Sequence, residues 1–235
     1  MRRILTVLAL LAVILAVGAC GTNSADRSAA PGPQTSSNGE SQPTATLPEE
    51  GIVDPGKYRT GDFVPAFSFA ITQKSDIFQM QDVLFLFRAE TDVEISFVRP
   101  EVVFDPDKPS EEVPKPPPES VDGWITWFQE HPNIDAGEPV PATIGGVSGK
   151  RIDVATSTIP GDYPEDCGGP CVPSFSASEK EGKFSFFAGY KERYYVLNVD
   201  GTVMLVGISI PDEEFDQLLP EAQKVVDTIE WEAES

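Results

Sequence analysis

The chain contains few of the residues on which most hydrolytic and redox enzymes depend. Its 235 residues include one histidine and three cysteines. No Gly-x-Ser-x-Gly elbow, Walker phosphate loop or Gly-x-Gly-x-x-Gly turn occurs in it. Zinc hydrolysis and cysteine–histidine catalysis therefore lack their partner residues. Catalysis by a carboxylate pair stays open, because 38 acidic residues permit some close pair in any fold.

Positive charge is also scarce. The chain has 17 Lys and Arg residues against 38 Asp and Glu residues, which gives a formal net charge of −21. Such a field repels nucleic acid and anionic lipid head groups. We therefore expect no nucleic-acid partner, and we do not expect the acidic surface itself to hold the protein on a membrane.

Long hydrophobic runs are missing except at the start of the chain. There, Arg2 and Arg3 precede an apolar run from Ile4 to Ala19. As a helix this run would span about 24 Å, which is short of the roughly 30 Å hydrocarbon core of a bilayer. The charged start and the short run are typical of a secretory signal rather than a transmembrane helix. We predict that residues 1–19 are this signal.

The run closes with Val17-Gly18-Ala19-Cys20, which resembles the lipobox of bacterial lipoproteins. The resemblance implies that the Cys20 sulfur receives a diacylglyceryl group and that the chain is cleaved just before Cys20. It also implies that the new N-terminus can be acylated, for example with palmitate. The protein would then be held by lipid on the extracytoplasmic face of the cell membrane. The alternative is an ordinary secretory signal followed by a chance cysteine.

The composition of the remaining chain divides it into two parts. Residues 20–56 are rich in Ser, Pro, Thr, Asn and Gly and nearly lack large apolar residues, which predicts a disordered tether. Residues 57–235 carry enough apolar material for a single globular domain. Within that domain, Pro106–Pro118 is interpreted as a surface excursion, with a polyproline II recognition segment as the alternative.

Apolar patterning predicts the fold class, which is α/β (α+β) with a largely antiparallel sheet and helices on both faces. Asp200-Gly201 is a strong turn signal and predicts a hairpin between strands at 193–199 and 202–210. Both strands carry apolar residues on both faces, so we expect a layer above and a layer below the sheet. Further strands are predicted at 67–72, 83–88, 94–98, 140–144, 150–154 and 183–188.

Two helices are predicted. Apolar residues at helical spacing follow Ser120, a suitable N-cap, and Pro132 ends this helix near His131. The second helix starts near Asp212, and Pro220 either kinks it or begins a further helix. Trp231 is expected in a last short strand.

The order of these elements carries a family resemblance. It rests on Tyr58-Arg59-Thr60, Phe63-Val64-Pro65, Phe67-Ser68-Phe69, Trp124-Ile125-Thr126-Trp127-Phe128, Gly145-Gly146-Val147-Ser148-Gly149, Asn198-Val199-Asp200-Gly201-Thr202, Phe215 and Leu219-Pro220-Glu221-Ala222. The layout resembles the Mog1/PsbP-like α/β/α sandwich, in particular the LpqN-type lipoproteins of actinobacteria, over most of residues 57–233. The resemblance implies a binding or adaptor protein, since that fold group shares no catalytic motif. It transfers no functional residue.

Cys167 and Cys171 are the two cysteines left once Cys20 is acylated. In an oxidising compartment a disulfide between them is the expected product. The loop it closes is short, so the chain-entropy model gives a stabilisation of about 2 kcal/mol. Redox-active, metal-binding or free thiols are the alternatives. The spacing is longer than in thioredoxin-like sites, and no basic residue adjoins either thiol to lower its pKa.

The sole histidine and a group of aromatic residues each have two interpretations. His131 at a helix end is predicted to act as a cation that complements the helix dipole, rather than as a general base. The aromatic residues crowd two adjacent strands, where core packing is favoured over the wall of an apolar ligand groove. These residues are Phe184, Phe186, Phe187, Tyr190, Tyr194 and Tyr195.

Taken as a whole, the sequence predicts a lipid-anchored, extracytoplasmic binding or adaptor protein without catalysis. Its partners would be the membrane, through the lipid on Cys20, and an envelope protein or small ligand that the sequence does not name. No cofactor or metal is expected. The alternatives are a structural accessory lipoprotein of an envelope protein complex and a carboxylate-based hydrolase. The hydrolase would be marked by a deep cleft in which two acids converge.

Overall fold

Two ten-residue strands, Tyr190–Val199 and Thr202–Pro211, form a hairpin at the centre of the largest sheet. The two-residue turn between them has φ angles of 50° at Asp200 and 89° at Gly201. Positive φ at both positions is what a tight hairpin turn needs, and Asp-Gly adopts it at low cost. The predicted hairpin is therefore confirmed, and its first strand starts three residues earlier than expected.

The computed structural model describes residues 44–88, 90–161, 163, 169–178 and 182–232, within a compact unit that spans residues 41–235. The described strands are β1 (Ala45–Thr46), β2 (Glu50–Val53), β3 (Gly56–Arg59), β4 (Phe67–Ile71), β5 (Ser75–Met80), β6 (Val83–Arg88), β7 (Glu94–Val98), β8 (Val102–Phe104), β9 (Pro114–Lys115), β10 (Ile134–Ala136), β11 (Val140–Ile144), β12 (Val147–Thr156), β13 (Cys171–Ser176), β14 (Lys183–Phe187), β15 (Tyr190–Val199), β16 (Thr202–Pro211) and β17 (Glu230–Trp231). The described helices are α1 (Val121–Glu130) and α2 (Phe215–Val226), with 3₁₀ turns at Pro109–Glu111 and Asp212–Glu214.

The described strands form three sheets. The main sheet has the strand order β10-β12-β15-β16-β7-β6-β5-β2, with β11 also paired to β12, and all of its pairings are antiparallel. A second sheet has the order β1-β3-β4-β17, and a third has the order β14-β13-β8-β9. The strands predicted at 83–88 and 94–98 are confirmed as β6 and β7, which pair with each other as an antiparallel hairpin.

Alternate residues of the central hairpin enter two different cores. Tyr195 and Val206 belong to the first core, on one face of the main sheet, while Tyr194 and Leu205 belong to the second core, on the other face. Side chains of neighbouring strand positions point to opposite faces, so apolar residues at consecutive positions bury both faces. The expectation of a layer on each side of the sheet is confirmed.

One helix contributes to each core. Helix α2 packs its buried residues Ala222, Val225 and Val226 into the first core, together with β4. Helix α1 packs Trp124 and Phe128 into the second core, together with β13 and β14. The mixed α/β class with mostly antiparallel sheets is thus confirmed. The α/β/α sandwich is not confirmed. The described helices are few, and the two smaller sheets supply much of the covering on both faces of the main sheet.

The helix termini agree with the sequence patterns. The Ser120 hydroxyl accepts a hydrogen bond from the Gly123 N–H at 3.1 Å and caps α1, which ends before His131. Helix α2 follows the 3₁₀ turn that starts at Asp212 and continues without interruption past Pro220. No helix among the described residues is long and apolar enough to span a membrane.

The folded unit begins earlier than predicted. Strands β1 and β2 lie inside residues 20–56, which the composition assigned to a disordered tether. Leu47 is 2% exposed, and the Gln79 side chain donates hydrogen bonds to the Leu47 and Pro48 carbonyls, both at 2.8 Å. Strand β2 pairs with β5 at the edge of the main sheet. The domain boundary at residue 57 is therefore wrong, because distant partners order a segment that is poor in apolar residues.

Candidate functional site

A cavity of about 550 Å³ opens at one end of the second core. Its lining comes from the main sheet, from the turn between β6 and β7, and from β14. A cavity of this size that combines apolar walls with a few converging polar groups is the usual form of a small-molecule site.

Two acidic side chains reach this cavity from strands that do not pair with each other. On β16, Ser209 is paired with Glu192 of β15 on one side and with Glu94 of β7 on the other. Glu94 is paired in turn with Phe87 of β6. The four residues form one row across the sheet, and all four line the cavity.

A second row lies two residues further along the strands and therefore on the same face. It runs from Tyr194 through Gly207 and Ser96 to Phe85. Gly207 leaves room for its neighbours. A Cβ atom at this position would lie 2.6 Å from the Ser96 Oγ and 3.1 Å from the Tyr194 Cε1. The glycine thus lets the Tyr194 ring lie against the sheet.

Aromatic rings form the walls. Phe85 stacks with Phe87 at a centroid distance of 5.7 Å and with Phe184 at 5.0 Å. Phe187 meets Tyr190 edge-on at 6.3 Å. Phe87 is 43% exposed and Phe187 is 36% exposed, so both rings present apolar surface at the rim to an incoming molecule.

The surroundings of both carboxyl groups favour their protonated forms. Glu192 is 6% exposed, and burial is the main cause that raises its pKa to about 8. A hydrogen bond donated by the Tyr194 hydroxyl partly opposes this shift, and the nearby Glu94 adds to it. Glu94 keeps part of its surface open to the cavity, and burial raises its pKa to about 7.

The cations near the cavity are engaged elsewhere. The Lys183 ammonium pairs with Glu112, and the Arg88 guanidinium donates to the Glu221 carbonyl at 2.8 Å. Within the described part of the chain, no ion pair joins Glu94 or Glu192 to a basic residue. The described residues therefore supply these two acids with no counter-charge.

The six aromatic residues singled out by the sequence divide between core and cavity. Phe186 and Tyr195 lie only in the cores, whereas Phe184 and Tyr194 are buried and also line the cavity. Phe187 and Tyr190 belong to the cavity wall as well. The prediction of core packing is thus correct for some members of the group, and the alternative of groove lining is correct for others.

Sequence reasoning missed Glu94 and Glu192. The one available signal is that each acid begins or nearly begins a strand whose following residues are apolar on both faces. Nothing in the sequence pattern relates the two acids, because their proximity depends on the pairing of β16 with two different strands.

The structure corrects the expectation that His131 is a cation at the end of α1. His131 is 5% exposed, and burial lowers its pKa to about 4, so the ring is neutral at pH 7 and is not a cation at the helix end. Its Nδ1 accepts from the Asn133 N–H at 3.3 Å, which leaves the proton on Nε2. The ring packs against Trp127 and Phe186 and borders a second cavity of about 380 Å³ beside Pro116, Pro117 and Pro118.

The cysteine predictions fall largely outside the described residues. This applies to Cys20, with its lipid, and to Cys167. Cys171 is fully buried as the first residue of β13, a strand that the sequence analysis did not predict. Its pairing with Cys167 stays a prediction. Among the described residues, no group of three or more His, Cys, Asp or Glu side chains is placed to hold a metal ion.

Comparison with known proteins gives a weak structural likeness. No protein-family model matches the chain, and no curated protein matches its sequence. Solved structures similar to it include LpqN of Mycobacterium tuberculosis, described as involved in cell envelope biogenesis. That match has 10% sequence identity and a TM-score of 0.26, and it covers 77% of this chain and 89% of LpqN.

Proposed function

We propose that this protein is a lipid-anchored, extracytoplasmic binding protein that takes a small ligand into the cavity without turning it over. The observation that carries the proposal is the aromatic-walled cavity of about 550 Å³ into which Glu94, Glu192 and Ser209 converge. Apolar walls supply affinity, and a few fixed polar groups supply orientation.

The convergence of two acids also favours a second candidate, a carboxylate-based hydrolase. Catalysis by two carboxyls works best when their environments separate the pKa values, so that one acid is protonated while the other is ionised. Here burial raises the pKa of Glu94 and of Glu192 in the same direction. This supports binding over hydrolysis. Turnover of a glycoside or ester that is lost in both Glu94→Gln and Glu192→Gln would favour the hydrolase instead.

The anchor is the second part of the proposal. Val17-Gly18-Ala19-Cys20 supports lipid attachment at Cys20, and a net charge of −21 supports no electrostatic attachment to an anionic membrane. We expect Cys20→Ser to release the protein from the membrane or to block its processing, as followed by cell fractionation. Cys171→Ser serves as the matched control and should leave membrane retention unchanged. Normal processing and retention of Cys20→Ser would contradict the anchor.

The binding proposal is tested on the full chain isolated from its own membranes. Native mass spectrometry should detect a small molecule retained by the wild-type protein. Phe87→Ala should lose it, because this removes an exposed ring from the cavity wall. Phe78→Ala is the matched control, since Phe78 is 40% exposed on the neighbouring strand β5 and does not line the cavity. Equal retention by both variants, or no retained molecule in the wild type, would count against the proposal.

A further inference from the structure

We infer that the cavity takes an organic cation, with an ammonium group near Glu94 and Glu192 and an apolar body against the aromatic walls. This inference rests on the proposed function, because it names the chemical class of the ligand that the cavity would bind.

The first argument is the missing counter-charge. Acidic side chains in a poorly hydrated site are normally either paired with a cation or held in the protonated form, and a cation is needed to stabilise them when ionised. Glu192 is 6% exposed, and neither it nor Glu94 has a basic partner among the described residues. The two cations at the cavity, Lys183 and Arg88, are held by Glu112 and by the Glu221 carbonyl. A positive ligand group would supply the counter-charge that stabilises the ionised form of these two acids.

The second argument is geometric. Glu94 and Glu192 flank Ser209 on successive strands, so their Cα atoms are about 9.5 Å apart, which is two strand spacings. The Tyr194 hydroxyl donates to Oε2 of Glu192, and no described residue donates to its Oε1. A compact cation between the two strands could therefore contact both carboxyls without displacing an existing hydrogen bond.

The third argument is the nature of the walls. Phe87 lies next to Glu94 in the register and is stacked with Phe85, so its ring position is supported. Phe187 and Tyr190 face the same cavity. A cation over an aromatic face is attracted by the ring quadrupole, and this attraction is stronger in a desolvated site. Aromatic rings combined with acids select an organic ammonium ion over a hydrated metal ion.

The net charge of the chain also favours a cationic ligand. A net charge of −21 raises the local concentration of cations and lowers that of anions. This effect falls with ionic strength, whereas the buried contacts inside the cavity are screened much less. The selectivity for a cation should therefore persist at high salt.

Cation binding should also be linked to proton release. Burial raises the pKa of Glu94 to about 7 and of Glu192 to about 8, and a bound cation would lower both. The affinity for a permanently charged cation should then rise between pH 6 and pH 8. The charged and titratable groups that face the site are Tyr190, Glu192 and Tyr194 on β15, Glu94 on β7, Arg88 on β6, Asp92 in the following turn, and Lys183 on β14.

The experiment compares three probes that share a phenyl ring. They are benzyltrimethylammonium, 2-phenylethanol and 3-phenylpropionate, titrated into the full chain in nonionic detergent, with empty micelles as the blank. We expect benzyltrimethylammonium to bind about tenfold more tightly than the alcohol, and 3-phenylpropionate to bind most weakly. Glu94→Gln and Glu192→Gln should each remove most of the preference for the cation. Glu138→Gln, an exposed acid outside the cavity, controls for the change in net charge.

The outcomes separate the two proposals. Binding of 2-phenylethanol that equals or exceeds that of the cation, and that Phe87→Ala weakens, would overturn the ligand class and leave the binding function standing. If none of the three probes bound, both proposals would fail. Circular dichroism verifies the fold of each variant. Because Glu94 is partly exposed, Glu94→Gln keeps the test decisive even if Glu192→Gln does not fold.

Discussion

The Tyr194 hydroxyl donates a hydrogen bond to the Glu192 carboxyl two residues earlier on the same strand. Both side chains therefore lie on the same face of the main sheet, and both are almost fully buried there. This contact satisfies one carboxyl oxygen, but it does not offset the effect of burial on the pKa of Glu192.

The raised pKa of Glu192 makes the stability of the fold depend on pH. In the unfolded chain the group titrates near pH 4.5, whereas in the folded chain it titrates near pH 8. At this group the folded state thus binds more protons in this range, and the contribution of Glu192 lowers the free energy of unfolding as the pH rises from about 4.5 to about 8. Urea denaturation at a series of pH values measures this.

Glu192→Gln provides the matching variant, since the amide oxygen can still accept from Tyr194. We expect this variant to be more stable than the wild type above pH 8, on the order of a few kcal/mol, with the difference vanishing near pH 4. Glu138→Gln should follow the wild-type curve. Parallel curves for Glu192→Gln and the wild type would show that the Glu192 carboxyl does not titrate abnormally.

His131 should stay neutral far below its ordinary range. Because burial lowers its pKa to about 4, the ring signals of this sole histidine should not shift between pH 8 and pH 5 in a proton NMR titration. The unfolded chain takes up this proton near pH 6.5, so the contribution of His131 lowers the free energy of unfolding as the pH drops from about 6.5 to about 4. Between pH 4.5 and 6.5 this contribution is opposite in sign to that of Glu192. The urea-unfolded protein is the control. A midpoint near 6.5 in the folded protein would contradict the buried position.

Gly207 should tolerate no side chain. Gly207→Ala places a Cβ 2.6 Å from the Ser96 Oγ and 3.1 Å from the Tyr194 ring. We expect a loss of about 1–3 kcal/mol in the free energy of unfolding, with weaker binding of any ligand in the cavity. Gly161→Ala is the matched control, because nothing lies within 4 Å of its Cβ position. Thermal denaturation of the two variants should differ clearly, and equal midpoints would refute the tight packing.

Substitution of Leu47 tests whether the folded unit begins before residue 57. Leu47→Ala should cost about 2–5 kcal/mol, since this side chain is 2% exposed in the first core. Ile52→Ala, five residues later and 65% exposed, should change the stability by less than about 0.5 kcal/mol. A tether that ran to residue 56 would make both substitutions neutral in urea denaturation.

Local signals account for the parts of the fold that the sequence predicted well. Asp200-Gly201 encodes its turn within two residues, and Ser120 caps α1 through a contact only three residues away. Such features can be recognised without knowing which residues distant in sequence contact them. The fold class followed from them together with the apolar patterning of the central hairpin.

The features that were missed depend on distant pairings. Strand β2 has a weakly apolar sequence and is ordered by pairing with β5, and Cys171 begins a strand that pairs with β14 and β8. Glu94 and Glu192 meet only because β16 lies between their strands. Strand register is set by the whole sheet, so a single pattern cannot reveal which residues will share a row.

The central hairpin has a further consequence for how the chain folds. Its strands close over a two-residue turn, so they can pair early with little loss of chain entropy. Residues of this one hairpin enter the cores on both faces. Each core therefore stabilises the two strands against which the other core packs. We therefore expect the two faces to be lost together in one cooperative unfolding transition, so that neither α1 nor α2 survives alone on a half-packed sheet.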